Sequence, residues 1–179
     1  MLRNSLLIVA ACGFCVSPPS GMPSNASLQK EVERLRIPEK LVPRQKQPLF
    51  MVRAEGVQIY EAKEKDGAVQ WVFQAPQATL MDYVTGEKIG AHSKGPTWVD
   101  NDGSKLTGTM IASEAAPNAD AIPWLLLEVK NENGGRYSKV TNIQRVDTWA
   151  GRAPGAAPTK AGETKEVRYQ ATYVLWGDL

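Results

Sequence analysis

Cysteine and histidine are scarce in this sequence. Its 179 residues include two cysteines, Cys12 and Cys15, and one histidine, His92. Both cysteines belong to the N-terminal segment, so the rest of the chain has no thiol nucleophile and no internal disulfide. Zinc sites usually need three or four histidine, cysteine or carboxylate ligands, and His92 has no second histidine or cysteine to help it. The sequence therefore predicts no metal centre and no bound cofactor.

Several functional motifs are also missing. No G-x-G-x-x-G follows a predicted strand, no Walker sequence is present and strands do not alternate with helices, which excludes a dinucleotide-binding or P-loop domain. No G-x-S-x-G elbow marks a hydrolase serine. The 21 basic and 19 acidic side chains form no block of like charge. An electrostatic surface for nucleic acid is therefore not expected.

Residues 1–26 have the layout of an export signal. Arg3 precedes an apolar run over residues 6–16, which is too short for a membrane span of about 20 apolar residues. Two cleavage sites remain open. The run VAAC resembles a lipobox in which Cys12 would be acylated, and a signal peptidase could instead cut after Ala26. We expect an exported protein, either secreted or periplasmic, or anchored to the cell envelope through a lipid that would be its membrane contact.

Residues 27–48 predict a short helix followed by a proline-rich lead-in. Leu28, Val32 and Leu35 recur at helical spacing within SLQKEVERLRI, and Ser27 is placed to cap the helix. We expect this helix to be amphipathic, to end before the first proline, and to lie on the following domain or act as a spacer.

From residue 49 to residue 179 the pattern changes to β-structure. Short runs rich in Val, Ile, Tyr, Trp and Thr follow one another, and the last of them alternates apolar and polar residues most clearly. The runs are LFMVRAEGVQIYEAK, AVQWVFQA, ATLMDY, GPTWVD, KLTGTMIAS, PWLLLEVK, YSKVTNIQRV and EVRYQATYVLW. The pattern predicts one all-β domain of about eight antiparallel strands, folded as a sandwich or a barrel.

Four pairs of neighbouring residues that contain glycine lie between these runs and mark the hairpin corners. They are Asp66-Gly67, Thr85-Gly86, Asp102-Gly103 and Gly134-Gly135. Such pairs suit tight turns because glycine adopts a positive φ at low cost. A longer Pro/Gly/Ala-rich loop, residues 150–162, precedes the last run.

The segment GAHSKGPTWVDNDGSKLTG, residues 90–108, holds the histidine, a tryptophan and two aspartates. Its second half predicts a hairpin whose corner side chains hydrogen-bond their own backbone. An EF-hand is excluded because, with Gly103 at the sixth position, Trp98 and Thr109 would occupy ligand positions. A looser calcium site that uses Asp100 and Asp102 remains an alternative.

His92 has two interpretations. It is either a loop residue that packs or hydrogen-bonds near Trp98, or the base of a hydrolase or metal-dependent enzyme together with Asp100 or Asp102. The enzyme interpretation requires a carboxylate within hydrogen-bonding distance of the imidazole. We favour the packed interpretation and assign no catalytic residue.

Most of the five tryptophans are expected to pack in the core. Trp149 is the exception, because it stands where a strand runs into the Gly/Pro loop, near Arg145 and Arg152. It is either a buried anchor for that loop or an exposed aromatic platform for a sugar or an anionic ligand.

The order of several motifs resembles a known family. GVQIY, APQATL, GAHSKGPTWVDNDGSKLTG, AIPWLLLEV, VTNIQRVDTWAGRAP and EVRYQATYVLW occur in the order seen in domain-of-unknown-function family 3455, a family of secreted bacterial and fungal proteins. The matching positions are Gly90, His92, Gly95, Pro96, Trp98, Asp102, Gly103, Ser104, Arg145, Gly151 and Pro154. The resemblance covers about residues 38–176 and implies export and a mainly β domain. Some members carry a malate dehydrogenase name, which the missing dinucleotide motif does not support.

This chain departs from the family in one respect. Members often have a cysteine after the tyrosine of the first motif and another in the late Pro/Gly loop, which implies a disulfide between them. Here those regions read YEAKE and GAAPTKAGE. The resemblance therefore implies that the loop at residues 150–162 is not tied by a disulfide and is more mobile.

The sequence as a whole favours a non-enzymatic binding or structural module of the cell envelope or secreted space. Its candidate binding residues are His92, Trp98, Asp102, Arg145 and Trp149. The expected partner is a small molecule or a glycan, not nucleic acid. The alternative is the hydrolase or metal-dependent enzyme built on His92.

Overall fold

A computed structural model describes residues 25–179, so Cys12 and all but the last two residues of the export signal lie outside the described residues. Helix α1 spans Asn25–Arg34, and two 3₁₀-helices span Glu39–Leu41 and Gly135–Tyr137. The strands are β1 Lys46–Lys65, β2 Ala68–Asp82, β3 Lys88–Ser93, β4 Thr97–Asp100, β5 Lys105–Glu114, β6 Trp124–Glu132, β7 Asn142–Ala150 and β8 Thr164–Asp178. In this part of the chain no helix is both long and apolar enough to cross a membrane.

The strands form a closed barrel. Each strand pairs antiparallel with the next one in sequence, and β8 pairs with β1 over most of its length to complete the ring. The expectation of an all-β domain with about eight antiparallel strands is confirmed, and of the two architectures left open the barrel is the observed one. Closure gives every strand two neighbours, so that exposed sheet edges are reduced to the places where neighbouring strands differ in length.

Alternation along β8 divides its residues between two apolar layers. Tyr169, Ala171, Tyr173 and Leu175 face the barrel interior, as the period-two pattern predicts. Val174, with Trp176, faces outward, yet both are buried as well. The outer wall is therefore covered at this position.

Helix α1 and the first 3₁₀-helix form that cover. Leu28 and Val32 are buried on the predicted apolar face of α1, and Leu41 is fully buried beside them. They pack against Met51, Trp124, Leu126, Val146, Val174 and Trp176 on the outside of the barrel. The cover is fastened by Gln144, which donates a hydrogen bond to the Leu41 carbonyl and accepts one of 2.8 Å from the Trp176 indole.

The helix differs slightly from its predicted bounds. It includes Asn25, so Ser27 lies in the helix and not before it. It ends at Arg34 because Arg36 adopts a positive φ of 49°, which no helix can continue through. Cleavage after Ala26 would remove the first two helical residues and make Ser27 the new start.

The predicted hairpin corners are confirmed. Asp66 and Gly67 both have positive φ, 53° and 76°, between β1 and β2, and Gly103 has a φ of 87° between β4 and β5. Gly134 and Gly135, at 65° and 63°, lead from β6 into the second 3₁₀-helix. Glycine is favoured at such angles because a Cβ would clash with the backbone.

The observed strands differ from the predicted runs in two places, but the number of strands remains eight because two runs merge and one strand is added. The runs AVQWVFQA and ATLMDY form one strand, β2, that continues through Pro76. Proline is tolerated there because this half of β2 has no β3 neighbour, so one edge of the strand is free. The residues KIGAHS, considered part of a loop, form β3. His92 is therefore a strand residue.

The last third of the barrel also differs in detail. The run YSKVTNIQRV begins with the second 3₁₀-helix, and β7 starts at Asn142 and extends to Ala150. The loop at residues 150–162 is hydrogen-bonded to the barrel without a disulfide: the Trp71 indole donates to Ala156 O at 2.9 Å, and Tyr60 donates to Gly151 O at 2.7 Å. The expectation of greater mobility stays a prediction.

Candidate functional site

A window opens in the barrel wall because neighbouring strands differ in length. β3 has 6 residues and β4 has 4, whereas β2 has 15 and β5 has 10. β3 pairs with β2 from Ala78 onward, and β4 pairs with β5 up to Thr107. The first half of β2 and the second half of β5 therefore pass the end of the β3–β4 hairpin without a neighbour on that side. We call this opening the window.

A cavity of about 380 Å³ lies behind the window. It is bounded by β2 and β5 at the sides, by the β3–β4 turn below, and by the inner face of β6, β7 and β8 at the back. The lining residues are Phe73, Gln74, Pro76, His92, Lys94, Gly95, Pro96, Trp98, Met110, Leu125, Leu127, Arg145 and Tyr173. We call this cavity the window pocket.

His92 lies on β3 at the inner end of the window pocket and is 3% exposed. Its ring stacks on Trp98 with centroids 4.4 Å apart and meets the Tyr173 ring edge-on at 5.4 Å. Nδ1 lies 2.9 Å from the Thr97 carbonyl oxygen, which can only accept, so Nδ1 carries the proton of the neutral ring. The pKa of His92 is lowered to about 4, mainly by burial; the bond to Thr97 opposes this shift, and the Arg145 charge adds to it.

Arg145 lies on β7 at the back of the window pocket and is half-buried. Its register places it opposite Leu125 on β6 and Tyr173 on β8, which also line the cavity. Nε and Nη2 donate to the Pro123 carbonyl at 3.1 and 2.9 Å, which fixes the plane of the guanidinium. Arginine carries five N–H donors, so this anchoring leaves the Nη1 donors available.

Lys94 lies at the tip of the β3–β4 turn and is exposed. Gly95 follows it with a φ of 141°, and the Thr97 hydroxyl donates to the Lys94 carbonyl at 3.0 Å, which holds the turn. The tip of this turn forms the lower rim of the window pocket, so Lys94 lies at its mouth.

The Tyr173 side chain forms part of the back wall of the window pocket. Its side chain is 1% exposed, and its Oη has no partner in hydrogen-bonding geometry among residues 25–179. The Tyr169 hydroxyl and the Arg145 guanidinium lie near enough to influence its pKa, which burial raises and Arg145 lowers. Because the Oη atom itself is buried, it is not exposed to the cavity, and the side chain supports the back wall of the pocket.

The opposite end of the β3–β4 hairpin is closed. Asp102 accepts hydrogen bonds from the Ser104 amide at 2.8 Å and from the Arg136 amide at 2.7 Å. Arg136 also donates to Asp82 at 2.9 Å and lies 3.9 Å from the buried Asp100 carboxylate. Burial alone would raise the pKa of Asp82, but hydrogen bonds from Thr85, Arg136 and Val84 hold it below its usual value. We call this end the clasp.

The clasp accounts for the predicted corner chemistry. Asp100 accepts from the Asp102 amide at 3.2 Å, so the polar corner side chains do bond their own backbone. The looser calcium site gains no support, since no group of three or more His, Cys, Asp or Glu side chains in the described part of the chain is arranged to hold a metal ion. Asp102 is therefore separated from the window pocket by the length of the hairpin.

Trp149 is also separate from the window pocket. It is 56% exposed on the outside of the barrel, so the alternative of a buried loop anchor is wrong. The two arginines near it in sequence do not form a common binding surface with it. Arg145 points to the window pocket, and Arg152 donates to the Ala119 carbonyl at 2.6 Å.

The structure therefore joins three of the five candidate residues, His92, Trp98 and Arg145, in one cavity. Sequence reasoning missed Lys94, Tyr173 and the apolar rim formed by Phe73 and Met110. The alternation in EVRYQATYVLW could have placed Tyr173 inside. No pattern in the sequence indicates that β2 and β5 extend beyond the β3–β4 hairpin that lies between them. The rim formed by Phe73 and Met110 could therefore not be predicted from the sequence.

The geometry does not favour the enzyme interpretation. Across residues 25–179, no carboxylate forms an ion pair with His92. Nδ1 is bonded to a carbonyl, where a catalytic triad would place the carboxylate that orients the ring and stabilises its charged form. Asp100 and Asp102 belong to the clasp.

These features define the class: an eight-stranded up-and-down barrel with a side opening and a small, mostly apolar cavity behind it. The chain belongs to domain-of-unknown-function family 3455, described as proteins of unknown function, whose sequence profile matches residues 43–177. The match confirms the family suggested by the ordered motifs. Comparison with curated proteins and with solved structures found no match.

Proposed function

We propose that this protein is an exported, non-catalytic binding module that holds a small molecule in the window pocket. The observation that carries the proposal is the cavity of about 380 Å³ behind the window. Its size falls within the range of about 300–1,000 Å³ that is usual for small-molecule sites, and a few polar groups converge on a mainly apolar lining, as in such sites. Eight-stranded barrels have an interior wide enough for one small ligand.

The arrangement is suited to binding more than to chemistry. The pocket has a fixed frame, because Arg145 is anchored to the Pro123 carbonyl and His92 is stacked on Trp98. Its imidazole, with a pKa near 4, is a weak base at neutral pH and has no carboxylate partner in the described residues. A preformed pocket of this kind binds with little cost in ordering its own side chains.

The proposal of export rests on the N-terminal segment. A charged residue, an apolar run and a small-residue region occur in the order of a secretory signal. Mass spectrometry of the mature N-terminus tests it: a lipidated Cys12 or a start at Ser27 supports export, and an intact Met1 in the cell overturns it.

Filling the mouth of the window pocket tests the binding proposal. Met110→Trp adds bulk at a rim position that is 57% exposed, so the fold should tolerate it. Ile111→Trp is the matched control, because Ile111 is the next residue on β5, is 55% exposed and does not line the cavity. The purified protein and both variants are screened by thermal shift with metals, sugars and small organic acids.

A pocket ligand should raise the melting temperature of the wild type and of Ile111→Trp, since binding to the native state stabilises it. The same ligand should have a much smaller effect on Met110→Trp. A ligand that stabilises all three proteins equally binds elsewhere. If no compound of these classes stabilises the wild type, the proposal loses its support.

A further inference from the structure

The charged residues of the window pocket are of one sign. Lys94 and Arg145 line it, and none of its lining residues is an aspartate or glutamate. Within the described chain, neither cation is paired with a carboxylate. Arg136 in the clasp, by contrast, is paired with Asp82. Two unpaired cations beside a low-dielectric cavity attract an anion.

The remaining walls are apolar. Phe73 and Met110 stand exposed at the rim, 49% and 57% accessible, and Leu125 and Leu127 lie deeper on β6. Large side chains rarely remain this exposed together without covering a site. A ligand that contacts both the cations and these side chains must therefore be amphipathic.

The Arg145 guanidinium supplies donors for an anion at the back of the window pocket. It lies in one register row with Tyr173 across β7 and β8, so both side chains leave the sheet on the same face. The Pro123 carbonyl does not use the Arg145 Nη1 donors, and the planar guanidinium matches the two oxygens of a carboxylate. His92 adds no positive charge at neutral pH.

We propose that the window pocket binds an amphipathic monoanion. Arg145 holds its carboxylate, Lys94 attracts it at the mouth, and its apolar body lies between Phe73, Met110 and Leu125. This inference rests on the proposed function, because it names the class of ligand for the same cavity.

The test uses probes that separate charge from apolar body. Octanoate carries both features, acetate has the charge without the body, 1-octanol has the body without the charge, and octylammonium reverses the charge. Binding to the purified protein is measured by titration calorimetry at neutral pH and low salt. We expect octanoate to bind more tightly than each of the other three probes.

Variants locate the carboxylate. Arg145→Met and Lys94→Met remove the two cations, and Arg168→Met and Lys130→Met are matched controls at exposed positions of β8 and β6 that do not line the cavity. Loss of a charge-assisted hydrogen bond should weaken octanoate binding roughly 10- to 100-fold in Arg145→Met, and less in the exposed Lys94→Met. Arg145→Lys retains the charge and serves if Arg145→Met does not fold.

The outcomes separate this inference from the proposed function. If octanol or octylammonium binds as tightly as octanoate, and Met110→Trp abolishes binding, the pocket is a binding site but not one for anions. If octanoate does not bind, but another compound from the screen binds to the wild type and not to Met110→Trp, this inference fails and the proposed function stands. If octanoate binding survives Met110→Trp, or is unchanged in both Arg145→Met and Lys94→Met, the assignment is wrong.

Discussion

The two ends of the β3–β4 hairpin carry opposite arrangements of charge. At the clasp, the Arg136 guanidinium donates to Asp82, its backbone amide donates to Asp102, and its Nη1 lies 3.9 Å from the Asp100 carboxylate. At the window pocket, Lys94 and Arg145 have no carboxylate partner among the described residues. Charges that satisfy each other stabilise a turn, and charges that are left unpaired beside a cavity are available to a ligand. The difference distinguishes charges that hold the fold together from charges that the proposed ligand would use.

His92 lies between these two ends, and the pH dependence of stability that it causes shows whether water reaches its imidazole through the window. The unfolded imidazole binds a proton below about pH 6.5, whereas the folded one does so only below about pH 4. The contribution of the neutral imidazole to the free energy of unfolding is therefore fully present above about pH 6.5. It is lost as the pH is lowered towards 4, and the free energy of unfolding falls by about 3 kcal/mol.

The check compares the wild type with His92→Phe, which keeps a ring against Trp98. Urea denaturation at pH 7, 5.5 and 4 should show a smaller acid-dependent loss in the variant. Equal losses in both proteins would mean that the imidazole is hydrated and titrates normally.

Removing the central cation of the clasp should have the next largest effect. Arg136→Met leaves Asp82 without its 2.9 Å partner and the buried Asp100 without a nearby positive charge. It also removes the guanidinium from the face of Phe50, 4.8 Å away. We expect the free energy of unfolding to fall by about 2 kcal/mol, measured by urea denaturation at neutral pH.

A second variant distinguishes loss of the ion pair from a general packing defect. Asp82→Asn combined with Arg136→Met should recover part of the loss, because the uncompensated carboxylate is gone. Additive losses in the double variant would contradict an important role for this pair.

The smallest effect is expected at the open end. Lys94→Met also removes one positive charge, at the opposite end of the hairpin from Arg136, but the Lys94 side chain is exposed and has no carboxylate partner among the described residues. The free energy of unfolding should change by no more than about 0.5 kcal/mol. A loss as large as that of Arg136→Met, in the same urea assay, would mean that the two ends are not different in kind.

Local sequence signals predicted the corner after β4 but did not predict the strand β3. The corner at Asp102-Gly103 was predictable, because the residues that bond the turn are the residues that form it. The strand character of KIGAHS was not, since a glycine, an alanine and a serine are weak β-formers. Position 90 requires glycine because a Cβ there would lie 2.1 Å from the Val99 carbonyl oxygen of the paired strand. That requirement belongs to the partner strand and leaves no local pattern.

The sequence by itself determined the class of the fold. Period-two alternation and positive-φ corner residues specify antiparallel strands joined by hairpins, and the apolar spacing of α1 specifies an amphipathic helix. These are interactions between residues close together in the chain, so they can be read from it.

Tertiary structure alone decided the site. Arg145, Tyr173, Phe73, Met110 and Lys94 come from different strands, and they meet because the barrel closes and because its strands have unequal lengths. Alternation tells which face a side chain takes but not which distant strand lies opposite it. The pairing register, which the whole barrel sets at once, converts separate side chains into a pocket.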